Sequence, residues 1–206
     1  MRGRSNMATV LVTAFEPYDR WSENASWLAL VELTRNLPAA PKLVTRRYPV
    51  DFLKARERLE QDLGGEYDFA IHLGQAPGSS QIRLESIALN VGGSSNDNHD
   101  ALKPLVADGP VAYRTRLPLA SWADQIRAAG IPVQVSYHAG TYLCNAVYYL
   151  SSHLAQRRGL RTQSMFIHLP LEVSQAVREP RETASLAAGV SAEALRIVLR
   201  DLATRV

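Results

Sequence analysis

The sequence predicts an α/β fold in which helices pack on a largely parallel sheet. Two observations carry that expectation. Short apolar, strand-like runs alternate with segments of helical spacing along the whole chain, and neither an internal repeat nor a low-complexity stretch interrupts them. The 206 residues, 46% of them hydrophobic, suffice for one domain with a core of its own, without disulfide or metal staples.

The elements follow in order. Residues 1–6 are polar and basic, and residues 1–7 are expected as an extension outside the fold. Residues 9–13, Thr-Val-Leu-Val-Thr, read as a first strand. Residues 25–35 have helical spacing, with Asn24 placed to cap them. Residues 43–48 read as a strand. Residues 51–63 read as a helix that stops at Gly64-Gly65. Residues 69–73 form a buried strand that Gly74 is expected to end, and residues 82–91 a further extended run. The polar, Gly/Asn/Asp-rich stretch 92–110 is expected as a long loop or lid. A helix over 121–129, a strand over 133–136, a helix over 141–156 capped by Thr141, a strand over 164–169 and a terminal helix over 183–204 complete the chain. In such folds, sites gather at the carboxyl ends of the strands.

Charge and composition exclude several classes. The net charge is +3, but the basic residues are scattered. The densest group, Arg157, Arg158 and Arg161, lacks interleaved aromatics and suits a solvated helix end, so no nucleic-acid partner is expected. No apolar run approaches the ~20 residues of a membrane span. A single cysteine fits a reducing, cytoplasmic setting and makes that thiol a candidate for chemistry.

Cys144 follows Gly140 and Thr141 and falls in the first turn of its helix. Unsatisfied backbone N–H groups and the helix dipole favour a thiolate there, and the same N–H groups can receive an oxyanion. The bland alternative is a small buried hydrophobe. Five histidines could serve as base. His153 lies about half a turn round the same helix and faces away. His99 sits in the polar stretch, and His138 just before the Cys helix is either near the thiol or simply exposed. His72 and His168 each close an apolar run, and the residues alone do not choose between them. Glu85 shares a strand face with Ile87, Leu89 and Val91, so a buried carboxylate there needs a partner: an imidazole, or Arg83 in a salt bridge. Gly74 to Gly78 lacks the spacing and the Lys of a phosphate loop, and reads as a turn presenting Gln75 into a cleft. Phe15 and Tyr18 flank Pro17 at a strand exit, where two aromatics suit either the core or a flat apolar pocket.

Four segments in order, residues 10–18, 71–78, 139–145 and 166–170, resemble the pyroglutamyl peptidase I (pyrrolidone carboxyl peptidase) family of cysteine peptidases. The Ala-Gly-Thr-Tyr-Leu-Cys-Asn segment is the most specific of the four. The resemblance implies a three-layer α/β/α sandwich, a homotetramer, no metal and no cofactor. It implies hydrolysis of N-terminal pyroglutamyl residues from peptides, with Cys144 as nucleophile, His168 as base and Glu85 orienting the imidazole. By the same resemblance Phe15, Tyr18, Gln75, Tyr142 and Leu143 line the pyroglutamyl pocket, and Asn24 supports the aromatic loop. Two departures stand out: Tyr18-Asp19-Arg20 replaces the family's Phe-Gly-Gly, and Ser95 falls where an arginine is usual. They keep two rivals in play, an amidase of altered substrate range and a homologue that binds 5-oxoproline without turning it over.

Overall fold

The computed structural model describes residues 7–93 and 102–205, and the first six residues, expected as an extension, lie outside that range. The element order is β1 (Thr9–Phe15), α1 (Ala25–Arg35), β2 (Lys42–Tyr48), α2 (Phe52–Asp62), β3 (Phe69–Gln75), β4 (Ile82–Glu85), β5 (Ile87–Leu89), β6 (Ala112–Arg114), α3 (Leu119–Ala128), β7 (Val133–Ser136), α4 (Leu143–Arg157), β8 (Gln163–Leu169), α5 (Val173–Ala176) and α6 (Ala188–Leu202). Six strands form one sheet in the order β2-β1-β3-β8-β4-β7, and β5 and β6 form a two-stranded antiparallel ribbon. Within the six-stranded sheet only the β4–β8 pairing is antiparallel, so the sheet is mixed and largely parallel. Helices α1, α3 and α6 pack together on one face, and α2 and α4 on the other. The α/β expectation is borne out in this arrangement.

Register does most of the positioning. Partners across the sheet share a face, because strand side chains alternate. Thr13, His72, Phe166, Glu85 and Ser136 form one row across β1, β3, β8, β4 and β7. One step further toward the carboxyl ends of β3 and β8, Gly74 pairs with His168 and His168 with Arg83. Both rows face α4.

Several boundaries differ from expectation, and each difference has a tertiary cause. Gly74 does not end its strand, which runs on through Gln75 with Gly74 paired to His168. The 82–91 run breaks at Ser86: β4 stays in the main sheet, and β5 leaves to pair with β6, an element the local pattern did not reveal. The helix expected from residue 141 begins at Leu143 with Tyr142 as N-cap, since Thr141 is held in the loop, its carbonyl accepting from the Gly93 N–H. The terminal helix starts only at Ala188. Residues 183–187 instead run extended, with Ser185 bridged to Leu171 and the Leu186 N–H donating to the Leu171 carbonyl.

The described ends of the 92–110 stretch are held. Gly92 bridges Lys103, and the Asn90 amide donates to the Val106 and Gly109 carbonyls while accepting from the Val106 N–H. Residues 94–101, with Ser95 and His99, lie outside the described residues, and the lid expectation for 92–110 falls partly on them.

Candidate active site

Three elements converge at the carboxyl ends of β3 and β8. Gly140, at φ 78°, supplies the left-handed turn between β7 and α4. Tyr142 is extended, and Cys144 is the second residue of α4, half-buried. With Leu143 first in the helix, the N–H groups of Leu143, Cys144 and Asn145 have no intrahelical acceptor. Asn145 anchors this turn. Its amide accepts from the Leu89 N–H at 2.8 Å and donates to the carbonyls of Leu89 and Val91 at 2.9 and 2.8 Å, so the side chain acts as a strand partner for β5.

His168 Nδ1 lies 2.8 Å from Glu85 Oε1, both groups buried. The register explains the pair, because Glu85 sits diagonal to His168 across the antiparallel β4–β8 ladder. The Cys144 sulfur adjoins the same imidazole and acts on it electrostatically, and with Nδ1 engaged by Glu85 the nitrogen left to face the thiol is Nε2. Burial by itself lowers the His168 pKa, but the adjoining Cys144 sulfur and the Glu85 carboxylate outweigh it and raise the value to about 9. Among the described residues Glu85 Oε2 has no hydrogen-bond partner. Arg83 does not pair with Glu85; its Nε donates to Ser79 Oγ at 3.2 Å.

A cavity of about 420 Å³ opens over this group. Its walls include Phe15, Tyr18, Asn24, Gln75, Tyr142 and Leu143, so the residues singled out in the sequence come together here with Cys144 and His168. Tyr18 and Tyr142 pack with ring centroids 5.7 Å apart, and Phe15 is buried beside Phe166. Asn24 donates to the Glu16 carbonyl and accepts from the N–H and hydroxyl of Ser26, tying the aromatic loop to the start of α1. Gln75 is buried, and its Oε1 accepts from the Ala25 N–H and from Gln175 Nε2, each at 3.1 Å. Those two donors fix the amide's orientation, leaving Gln75 Nε2 buried with no partner among the described residues.

The remaining described histidines stand apart. His72 is wholly buried, with Nδ1 2.8 Å from Thr13 Oγ1, and burial lowers its pKa to about 3. His153 stacks on Tyr149 and bonds Tyr113. His138 is at the cavity edge, where its Nδ1 accepts from the Gly140 N–H at 3.1 Å. The aromatic-loop departures have structural partners: Asp19 takes a left-handed φ of 56°, and Arg20 pairs with Glu179 at 2.7 Å. Among the described residues no group of three His, Cys, Asp or Glu side chains could hold a metal, and no helix is long and apolar enough to cross a membrane. A larger groove of about 700 Å³ lies elsewhere, between β6 and the start of β8, lined by Arg114, Arg116 and Arg161 but by none of these residues.

Sequence reasoning missed Gln175, and it assigned the wrong role to Gly74. Gln175 lies 100 positions from the Gln75 it holds, and α5, which carries it, has only four residues, too few for a periodic signal. The Glu172/Gln175 capping box was its one local mark.

Comparison with known proteins agrees with this geometry. The family described as Pyroglutamyl peptidase matches residues 8–204. Pyrrolidone-carboxylate peptidase 1 of Ralstonia nicotianae is 34% identical over 206 residues, covering 97% of this chain and 94% of its own. The Pseudomonas fluorescens pyrrolidone-carboxylate peptidase is 37% identical over 193 residues, covering 90% and 89%. The crystal structure of pyrrolidone carboxyl peptidase from Fervidobacterium islandicum superposes with a TM-score of 0.88 at 33% identity, covering 95% of this chain and 98% of its own. With its fold and nearly its whole length in common with these enzymes, the chain belongs to the pyroglutamyl peptidase family of cysteine peptidases.

Proposed function

We propose that this protein removes N-terminal pyroglutamyl residues from peptides, with Cys144 as nucleophile, His168 as general base and then acid, and Glu85 as the residue that orients the imidazole. The observation that carries the reading is the buried His168–Glu85 hydrogen bond with the half-buried Cys144 sulfur adjoining the imidazole, at the cavity that Gln75 and the aromatics line. His168 takes the thiol proton, and the raised pKa of the imidazole favours keeping it. The sulfur attacks the carbonyl carbon that joins pyroglutamate to the next residue. The charge that develops on oxygen is met by N–H groups of the first turn of α4. The imidazolium then protonates the leaving amine, and water, deprotonated by the same imidazole, hydrolyses the thioester and frees pyroglutamate.

Specificity follows from the walls. Phe15, Tyr18, Tyr142 and Leu143 offer an apolar slot for a flat, uncharged ring, and the unpaired Gln75 Nε2 is a donor that a lactam carbonyl would satisfy. An N-terminal ammonium would lose its hydration there without gaining a carboxylate, at a cost of several kcal/mol, about tenfold in rate per 1.4 kcal/mol. A prolyl group also lacks the lactam oxygen and leaves the buried donor unmet. Comparing kcat/KM for pyroglutamyl, prolyl and glutaminyl amides tests the reading. Strong preference for the first is expected. Equal rates would favour a broader amidase, and 5-oxoproline binding without turnover a non-catalytic homologue.

In the same reading the chain is one domain that acts in the cytoplasm, where a lone thiol stays reduced, and it needs neither metal nor cofactor. It assembles as a homotetramer, as the family resemblance implies. A sedimentation mass of four chains and activity unaffected by chelators are the expected results.

A further inference from the structure

We propose that Gly74 is a positioning residue for the nucleophile: its missing side chain is the space in which the Cys144 sulfur sits beside His168. The inference rests on the proposed roles of those two residues and adds to them the feature of the sheet that lets them meet.

Glycine weakens a strand interior unless something approaches the backbone closely. Gly74 is inside β3, paired through the ladder to His168, and its backbone is not in the left-handed region that would itself call for glycine. Its reason is therefore spatial. A Cβ built on Gly74 would lie 3.0 Å from Cys144 Sγ, and 2.7 and 2.9 Å from two carbons of the Phe166 ring. These are the walls of a pit in the sheet surface. Because Gly74 and His168 are register partners, the pit opens beside the imidazole, whose ring centroid is 4.7 Å from that of Phe166. The first turn of α4, clamped to β5 by Asn145, sets the sulfur beside Gly74 and against the His168 imidazole. A methyl group at residue 74 would press on the sulfur from 3.0 Å and more tightly still on the Phe166 ring. The ring of Phe166 is buried and cannot yield freely.

The test is Gly74→Ala. Cys144 is the only cysteine, so the rate of alkylation by iodoacetamide reports on it alone. The expected result is a kcat lower by about 10²-fold with KM near wild type, the scale of a misplacement of about 1 Å. Alkylation at neutral pH should slow as well, because a displaced sulfur loses its imidazole partner. A stability cycle provides a readout that does not depend on turnover: Gly74→Ala should lower the midpoint of urea unfolding less in a Cys144→Ala background, where the pit is vacated, than in the wild type. Should Gly74→Ala alone fail to fold, the double variant must still fold. Wild-type kcat and alkylation in Gly74→Ala would overturn the proposal. So would equal destabilisation in both backgrounds, failure of the double variant to fold, or full recovery of both rates on adding Phe166→Leu, which would put the damage on the ring alone. The proposed activity is tested separately by Cys144→Ser, so loss of one reading does not imply loss of the other.

Discussion

At the scale of single residues, His72 and His168 show how a fold gives one side chain two characters. In the sequence both close apolar runs, and neither run says which can reach the thiol. Register places His72 one step below the site, in the row with Thr13 and Phe166, where burial keeps it neutral and far below its ordinary pKa. His168 stands one step higher, between Cys144 and Glu85, which outweigh its burial and raise its pKa to about 9. The base assignment therefore predicts an alkaline limb in kcat/KM for a pyroglutamyl amide, falling as pH rises through about 9, where the imidazolium that protonates the leaving amine is lost. A rate still climbing beyond that pH would contradict it. Glu85→Gln should lower kcat by about 10²-fold or more, toward the lower end of what a positioned base contributes, while KM stays nearly unchanged. A wild-type kcat in that variant would leave Glu85 a structural partner only. The acid stood out as a polar residue in an apolar run, although the break at Ser86 puts Ile87 and Leu89 on another strand; that its partner is His168 and not Arg83 depends on strand pairing 83 positions away.

At the scale of elements, local signals served well where an element carries its own cause. Asn24 caps α1 as expected, its Oδ1 accepting from the Ser26 N–H, and β7 spans the residues anticipated. They served poorly where a distant partner decides. β6 has three residues and exists through its pairing with β5, and α5 has four. The start of α4 depends on Asn145, whose two bonds to Leu89 of β5 and one to Val91 just beyond it hold the Cys144 turn against the chain that continues from Glu85. Asn145→Asp keeps the size but removes both donors: the Val91 carbonyl loses its bond to this side chain, and the Leu89 carbonyl keeps only the Val91 N–H. It should destabilise the protein by roughly 3 kcal/mol, read from urea unfolding, and lower kcat as the turn loosens. A loss under about 0.5 kcal/mol, the ordinary scatter of surface changes, would rule out the clamp. The aromatic loop is held in a similar way: Glu179 takes both Arg20 and the Trp21 indole N–H. Glu179→Ala should raise KM severalfold with little change in kcat, because it frees the loop that carries Tyr18 without touching the thiol. A KM equal to wild type would show the loop is positioned by other means.

At the scale of the whole molecule, the two buried histidines act on stability with opposite sign. His72 prefers to stay neutral when folded, so between about pH 6.5 and about 3 the unfolded chain binds the extra proton, and stability falls as pH drops through that window. His168 is raised, so its contribution is full below about pH 6.5 and is lost as pH rises through about 9. His72→Gln should flatten the acid limb of the stability curve relative to wild type, by an amount on the order of a few kcal/mol at pH 4. An unchanged limb would mean other groups govern acid unfolding. The α/β class, the residue types of the site and the family resemblance that names His168 are all legible along the chain, because alternating periodicity and short motifs are local properties. The pairing of His168 with Glu85 and not Arg83, the run of β3 on through Gly74 beside the Cys144 sulfur, and the hold of Gln175 on Gln75 come only from the folded arrangement. Each of those outcomes depends on register between segments distant in sequence, and register is set by packing the whole sheet against its helices, which no local window contains.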